Sequence, residues 1–190
     1  ETFIKIFDTE ISTRTVKALK IFGDKTGING MLGGQSADVL HTGEVISDEL
    51  LYYIYEKKTG ALIEGAMLTG SVLAGCNDED LAKIKRVGEL VGLAFQIKDD
   101  ILDIYGNEKE IGKPLHSDEK NNKKTYITIN GIEKSEHDIV VMSEEACDIV
   151  SSLGNDVEER DFIIKLIKYL TDRTYSVSYT HLTLPTKLEV

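Results

Sequence analysis

Three carboxylates crowd one short stretch of this chain. Asp99, Asp100 and Asp103 stand in the run FQIKDDILD. At about 100° per residue on an α-helix, they share an arc of about 100° with Gln96. Lys85, Glu89 and Gly92 extend the same face toward the N-terminus. The solvated face of an amphipathic helix is one reading of such a stripe. Two features favour another. The carboxylates fall in the last two turns of the expected helix, where the dipole is already negative and anions are disfavoured. Lys98 sits roughly opposite them among apolar residues, so the helix is not cleanly divided between core and water. A divalent cation would relieve the crowding. Carboxylates with open positions suit Mg²⁺, which keeps waters and bridges to substrate phosphates.

Three further stretches could handle a phosphorylated ligand. Lys58-Thr59-Gly60 puts a lysine at the head of a glycine-rich segment, where it could reach a phosphate as a point charge or serve as a plain surface lysine. From Gly112-Lys113-Pro114 to Lys123-Lys124, four lysines (113, 120, 123 and 124) make a positive patch in a polar loop, or simply solvate it. In Gly33-Gly34-Gln35-Ser36-Ala37-Asp38 the glycines suggest close backbone approach, and Asp38 could join a metal shell. A plain turn is the alternative.

The elements that must position these residues are helices. The chain has 190 residues, 41% of them hydrophobic, with only 2 Pro, and long stretches follow a 3.6-residue period, so an all-α fold is expected. Helices are expected at 12–25, around 37–40, from Ser47 as N-cap through a kink into 61–75, and at 80–105 with Gly106 closing it. Beyond a lysine-rich loop, about 107–124, come a short helix near Tyr126–Ile132, a longer one at 135–153 with Ser135 as N-cap and Gly154 closing it, and a last one at 157–173. The glycines at 27, 30, 33 and 34 read as an interruption between helices. Glycines at 60, 65, 70 and 75 mark an inner helix that lets its neighbours approach closely. Residues 1–174 then belong to one domain, of which they are the C-terminal part. Residues 175–190 (YSVSYTHLTLPTKLEV) lack the helical period and read as a non-native remnant.

Charge and cysteine usage exclude several classes. With 33 Asp+Glu against 22 Lys+Arg, the net charge of −11 disfavours binding to a nucleic-acid backbone. Cys76 and Cys147 are far apart, and the four histidines show no ligand spacing, so neither a disulfide framework nor a zinc site is expected. No apolar run approaches the ~18 residues of a membrane span and no signal peptide opens the chain, so a cytoplasmic protein is expected.

Four stretches occur in order: GMLGGQSAD, KTGALI, FQIKDDILD and GKPLHSDEKNNKKTY. Together they resemble the C-terminal part of the trans-isoprenyl diphosphate synthases, from about Glu1 to Arg173. The SDEKNNK stretch is typical of the bacterial farnesyl diphosphate synthase branch, and DDILD is similar to the family's second aspartate-rich motif. The resemblance implies an all-α prenyltransferase fold around a central cavity, a Mg²⁺ cofactor and a homodimer. It implies a head-to-tail condensation of an allylic diphosphate with isopentenyl diphosphate, giving farnesyl diphosphate. In that picture Asp99 is a metal ligand, with Asp100 and Asp103 in its shell and Asp38 nearby. Lys58 and Lys113 bind the allylic diphosphate, Thr59 and Gln96 face the developing allylic cation, Lys123 closes the site, and Phe95 lies near the isopentenyl chain.

The chain also departs from the family. His116 stands where the family usually has Gly, and Lys124 where a small residue is common. The family's first aspartate-rich motif lies well upstream of GMLGGQ, and residues 1–29 lack it, so an N-terminally truncated chain, inactive alone, is expected. Two rivals stand beside this reading: a terpene cyclase of the same fold, whose second metal motif is usually of Asn/Ser/Glu type, and, of another class, a non-catalytic partner subunit of a heteromeric prenyl synthase.

Overall fold

A computed structural model describes residues 12–105, 124–154 and 157–173. Helix α1 is Thr13–Thr26, α2 is Met31–Leu40 and α3 is Asp48–Ile54. A π-helical turn, Tyr55–Gly60, joins α3 to α4, Ala61–Ala74. Then follow α5 (Asp78–Tyr105), α6 (Tyr126–Asn130), α7 (Ile132–Ser151) and α8 (Val157–Asp172). Among the described residues there is no strand, as expected of an all-α fold.

Side-chain caps start several of these helices. Ser12, Ser47 and Asn77 accept hydrogen bonds from the amides of Thr15, Leu50 and Asp80 at 3.2, 3.2 and 2.9 Å. Each such cap contributes about 1 kcal/mol. Gly75, at φ +85°, ends α4 in the left-handed conformation that an L side chain resists.

The organising element is α5. Its 28 residues span about 42 Å, and its partners change along its length. Leu81 and Ile84 pack with Ala18 of α1 and Leu68 and Val72 of α4. Val87, Leu90 and Val91 meet Ala146 and Val150 of α7 and Ile167 of α8. Ala94, Ile97 and Ile101 meet Leu51 and Ile54 of α3, Tyr55, Tyr126 and Ile139.

Helices α4 and α5 touch backbone to backbone. A methyl group on Gly92 would stand 2.6 Å from the Gly60 Cα, and one on Gly88 would stand 2.7 Å from the Glu64 Cα. Glu64, nearly inaccessible, is tied to α1 by an ion pair with Lys25 at 2.5 Å. The inner helix of small residues is therefore present, and its closeness to α5 fixes where the π turn meets the carboxylate helix.

Two expectations need correction. Gly33 and Gly34 do not interrupt a helix; both are buried inside α2. Ser135 is not an N-cap: α7 starts three residues earlier, after Gly131 at φ +79°, and the enclosed Ser135 hydroxyl donates back to the Gly131 carbonyl at 2.7 Å. The N-cap position of α7 is Gly131, with no side-chain cap; the helix before it, α6, is capped by Thr125, which forms a reciprocal box with Thr128. Gly106, the lysine loop through Lys123, and residues 175–190 lie outside the described residues.

Candidate active site

The π turn presents the candidate lysine. Its wider winding sets Lys57, Lys58 and Thr59 between two α-helices, a distortion frequent at functional sites. Lys58 Nζ donates to Asp38 Oδ2 of α2 at 2.5 Å. The pair exists because α2 is pressed onto the turn: a methyl group on Gly34 would stand 2.3 Å from the Lys58 backbone nitrogen. Thr59 Oγ1 donates to Gln96 Oε1 of α5 at 2.8 Å. The structure thus brings together Asp38 with Lys58, and Thr59 with Gln96, one helical turn before Asp99.

The three carboxylates of α5 have three different surroundings. Asp99 is about a quarter exposed, and its Oδ1 accepts from Arg173 Nη2 at 2.8 Å. Asp100 is buried; its Oδ2 accepts from the Tyr55 hydroxyl and, at 3.0 Å, from the Tyr126 amide. It therefore ties α5 to the π turn and to α6. Asp103 is enclosed at 1% exposure. Phe95 is also buried, its ring 3.7 Å beneath the Arg173 guanidinium. Lys113, Lys123 and His116 lie outside the described residues. Lys124 donates to the Ile46 carbonyl at 3.0 Å and pairs with Asp48 at the start of α3.

Among the described residues no three acidic, histidine or cysteine side chains converge on one point. What the donor set fits is a hard cation held by few protein oxygens. Asp99 is the accessible member of its trio, and Asp38 faces Lys58 across the turn. Mg²⁺ commonly takes one or two carboxylates and completes its shell with water and substrate phosphate.

A cleft of about 470 Å³ lies beside this region and holds none of Lys58, Gln96 or Asp99. Glu56, Glu64, Glu89 and Glu145 surround it against Arg86, the wrong charge for a diphosphate. Behind the site, burial pushes the Tyr126 phenol well above its ordinary range, helped by its hydrogen bond to Asp138 at 2.7 Å. Lys134 and that same phenol hold Asp138 below the usual carboxylate range.

Sequence reasoning missed Tyr55, Tyr126 and Arg173. An arginine placed at the last turn of the last helix was the available signal for the third. Only tertiary contact identifies the tyrosines.

This all-α arrangement is the fold of solved isoprenyl synthases. Geranylgeranyl pyrophosphate synthetase from Pyrococcus horikoshii matches it with a TM-score of 0.76 over 90% of this chain and 63% of that one, at 23% identity. The chain belongs to the polyprenyl synthetase family, whose model matches residues 2–166. Farnesyl diphosphate synthase of Bacillus subtilis is 33% identical over 149 residues, which cover 78% of this chain and 49% of the relative. A geranyltransferase from Helicobacter pylori, solved with magnesium and isoprenyl diphosphate, is 26% identical with a TM-score of 0.69 over 85% of this chain and 54% of that one. The chain spans about half the length of the curated relatives it matches.

Proposed function

We propose that this chain carries the second half of the active site of a head-to-tail prenyltransferase, joining an allylic diphosphate to isopentenyl diphosphate to give farnesyl diphosphate. The observation that carries the reading is the Thr59–Gln96 hydrogen bond, which docks the lysine-bearing π turn on the carboxylate helix one turn from Asp99. Membership of the polyprenyl synthetase family, and a relative solved with magnesium and isoprenyl diphosphate, support it.

Each residue has a role that follows from its chemistry. Asp99, with Asp38 nearby, would hold Mg²⁺, and the buried Asp100 and Asp103 would back it. When bound, the ion supplies positive charge against the departing diphosphate. Lys58 exchanges its Asp38 partner for a diphosphate oxygen and remains a fixed point charge. Lys113 adds a second charge to the allylic diphosphate, and Lys123 closes over it. As the allylic C–O bond breaks, Thr59 and Gln96 turn oxygen toward the developing cation. The isopentenyl double bond attacks that cation, the new C–C bond forms, and a proton leaves to regenerate the alkene. Phe95 forms part of the apolar wall near the isopentenyl chain that keeps water from the cation.

The intact protein is proposed as a cytoplasmic homodimer. Leu32, Val39 and Leu40, apolar and exposed along α2, with Ile28 in the turn before it, support an interface there. No described helix is long and apolar enough to cross a membrane.

The test is a condensation assay with radiolabelled isopentenyl diphosphate and geranyl diphosphate, on the chain joined to the upstream half of the Bacillus subtilis relative. Mg²⁺-dependent label in a longer prenyl product is expected. A folded chimera that binds both substrates yet forms no product would overturn the reading.

A further inference from the structure

The Arg173 guanidinium sits at the end of α8, and its side chain is fully enclosed. Its Nε donates to the Leu170 carbonyl at 3.1 Å, capping its own helix. Its Nη2 donates to the Phe95 carbonyl at 3.0 Å and to Asp99 Oδ1 at 2.8 Å. The Phe95 ring lies 3.7 Å beneath it. One planar cation thus joins the last helix to two successive turns of the carboxylate helix.

The burial of the two partners is unequal, and that gives the contact a direction. Arg173 is held by a ring below and by two backbone carbonyls, so its place is set whether or not Asp99 is present. Asp99 is about a quarter exposed on a helix face and has side-chain rotamers to choose from. The rigid group therefore selects the rotamer of the more exposed one. Carboxylates that ligate metals are commonly oriented by such a hydrogen bond from behind, and losing it typically costs 10–100-fold in metal affinity.

We propose that Arg173 is the positioning residue for Asp99, fixing its carboxylate in the orientation that meets a divalent cation. The inference rests on the proposed role of Asp99 as a metal ligand. A purely structural role, in which Arg173 only fastens α8 to α5, is the competing explanation.

Mn²⁺ binding to the 190-residue chain separates the two, with free Mn²⁺ read by electron paramagnetic resonance and each variant's urea midpoint measured alongside. Asp99→Asn should weaken Mn²⁺ binding, and Arg173→Met should weaken it about tenfold or more. Arg173→Lys keeps the charge and stem but loses the fork that reaches Phe95 and Asp99 together, so its loss should fall between the parent and Arg173→Met. In an Asp99→Asn background, Arg173→Met should cause no further loss of Mn²⁺ affinity. Folded Arg173→Met or Arg173→Lys chains with parental Mn²⁺ affinity would overturn the proposal, however far the urea midpoint falls. An Asp99→Asn chain with parental Mn²⁺ affinity places the failure in the proposed metal role itself, and the inference about Arg173 falls with it.

Discussion

Gly34 lies directly against the backbone of Lys58, so close that a methyl group on it would stand 2.3 Å from the Lys58 nitrogen and 2.7 Å from the Lys57 carbonyl carbon. That contact sets the height of α2 above the π turn, and with it the 2.5 Å pair between Asp38 and Lys58.

Gly34→Ala should therefore destabilise the chain although it lies inside a helix. Alanine gains about 1 kcal/mol of helix propensity over glycine. The opposing contacts are backbone atoms, which yield only if the helix moves, and overpacking of this kind costs roughly 1–3 kcal/mol. The expected net change is a loss of up to about 2 kcal/mol in urea unfolding, together with weaker binding of geranyl diphosphate as Lys58 shifts. A stabilised variant that binds geranyl diphosphate as the parent does would mean that α2 does not press on the turn.

Tyr55→Phe should separate the fold role of Asp100 from the proposed metal role of Asp99. The Tyr55 hydroxyl donates to the buried Asp100 carboxylate. Removing it leaves the Tyr126 amide as the other donor described above. Hydrogen bonds to charged groups contribute about 1.5–3 kcal/mol, so the urea midpoint should fall accordingly. Mn²⁺ affinity of the folded chain should stay at the parental value. A variant that loses Mn²⁺ affinity without losing stability would place Asp100 among the ligands.

Stability should fall at both ends of the pH scale through the Tyr126–Asp138 pair. Lys134 and Tyr126 hold Asp138 below its ordinary value of 3.8. A carboxylate depressed in this way adds stability above that value, and the contribution is lost as pH falls through its folded pKa. Burial and the Asp138 hydrogen bond raise Tyr126 above its ordinary 10.0, so its contribution is complete below that pH and lost as pH rises beyond it. Urea midpoints of Tyr126→Phe and the parent should converge above pH 10.0 as the parent loses this contribution. An unchanged gap across that range would contradict the assignment.

Much of the helical layout is legible in the sequence because the caps and the 3.6-residue period are local signals. Ser12, Ser47 and Asn77 act as caps at the positions their residue types suggest. Gly33 and Gly34 mislead because glycine's weak helix propensity argues for a break, whereas their use is a backbone contact with a distant turn. Ser135 misleads because a serine hydroxyl can cap a helix or bond back to the carbonyl four residues earlier, and only Gly131 decides between them. The stretches KTGALI and FQIKDDILD are visible as candidates, and the Thr59–Gln96 bond joins them across 37 residues. The difference between Asp99 and Asp100 is not visible, since adjacent residues share one local environment in sequence. It is made by Arg173, 74 residues from Asp99, and by Tyr55, 45 residues from Asp100.

The central claim is that Asp99 and the π-turn lysine form one Mg²⁺-dependent diphosphate site, and calorimetric titration of this chain with geranyl diphosphate tests it most directly. Titrations are made with and without Mg²⁺, on the parent and on Asp99→Asn, whose quarter-exposed carboxylate is replaced at nearly constant volume. The account predicts binding that needs Mg²⁺ in the parent and is weakened about tenfold or more in Asp99→Asn. Binding of equal strength in both proteins, indifferent to Mg²⁺, would contradict it.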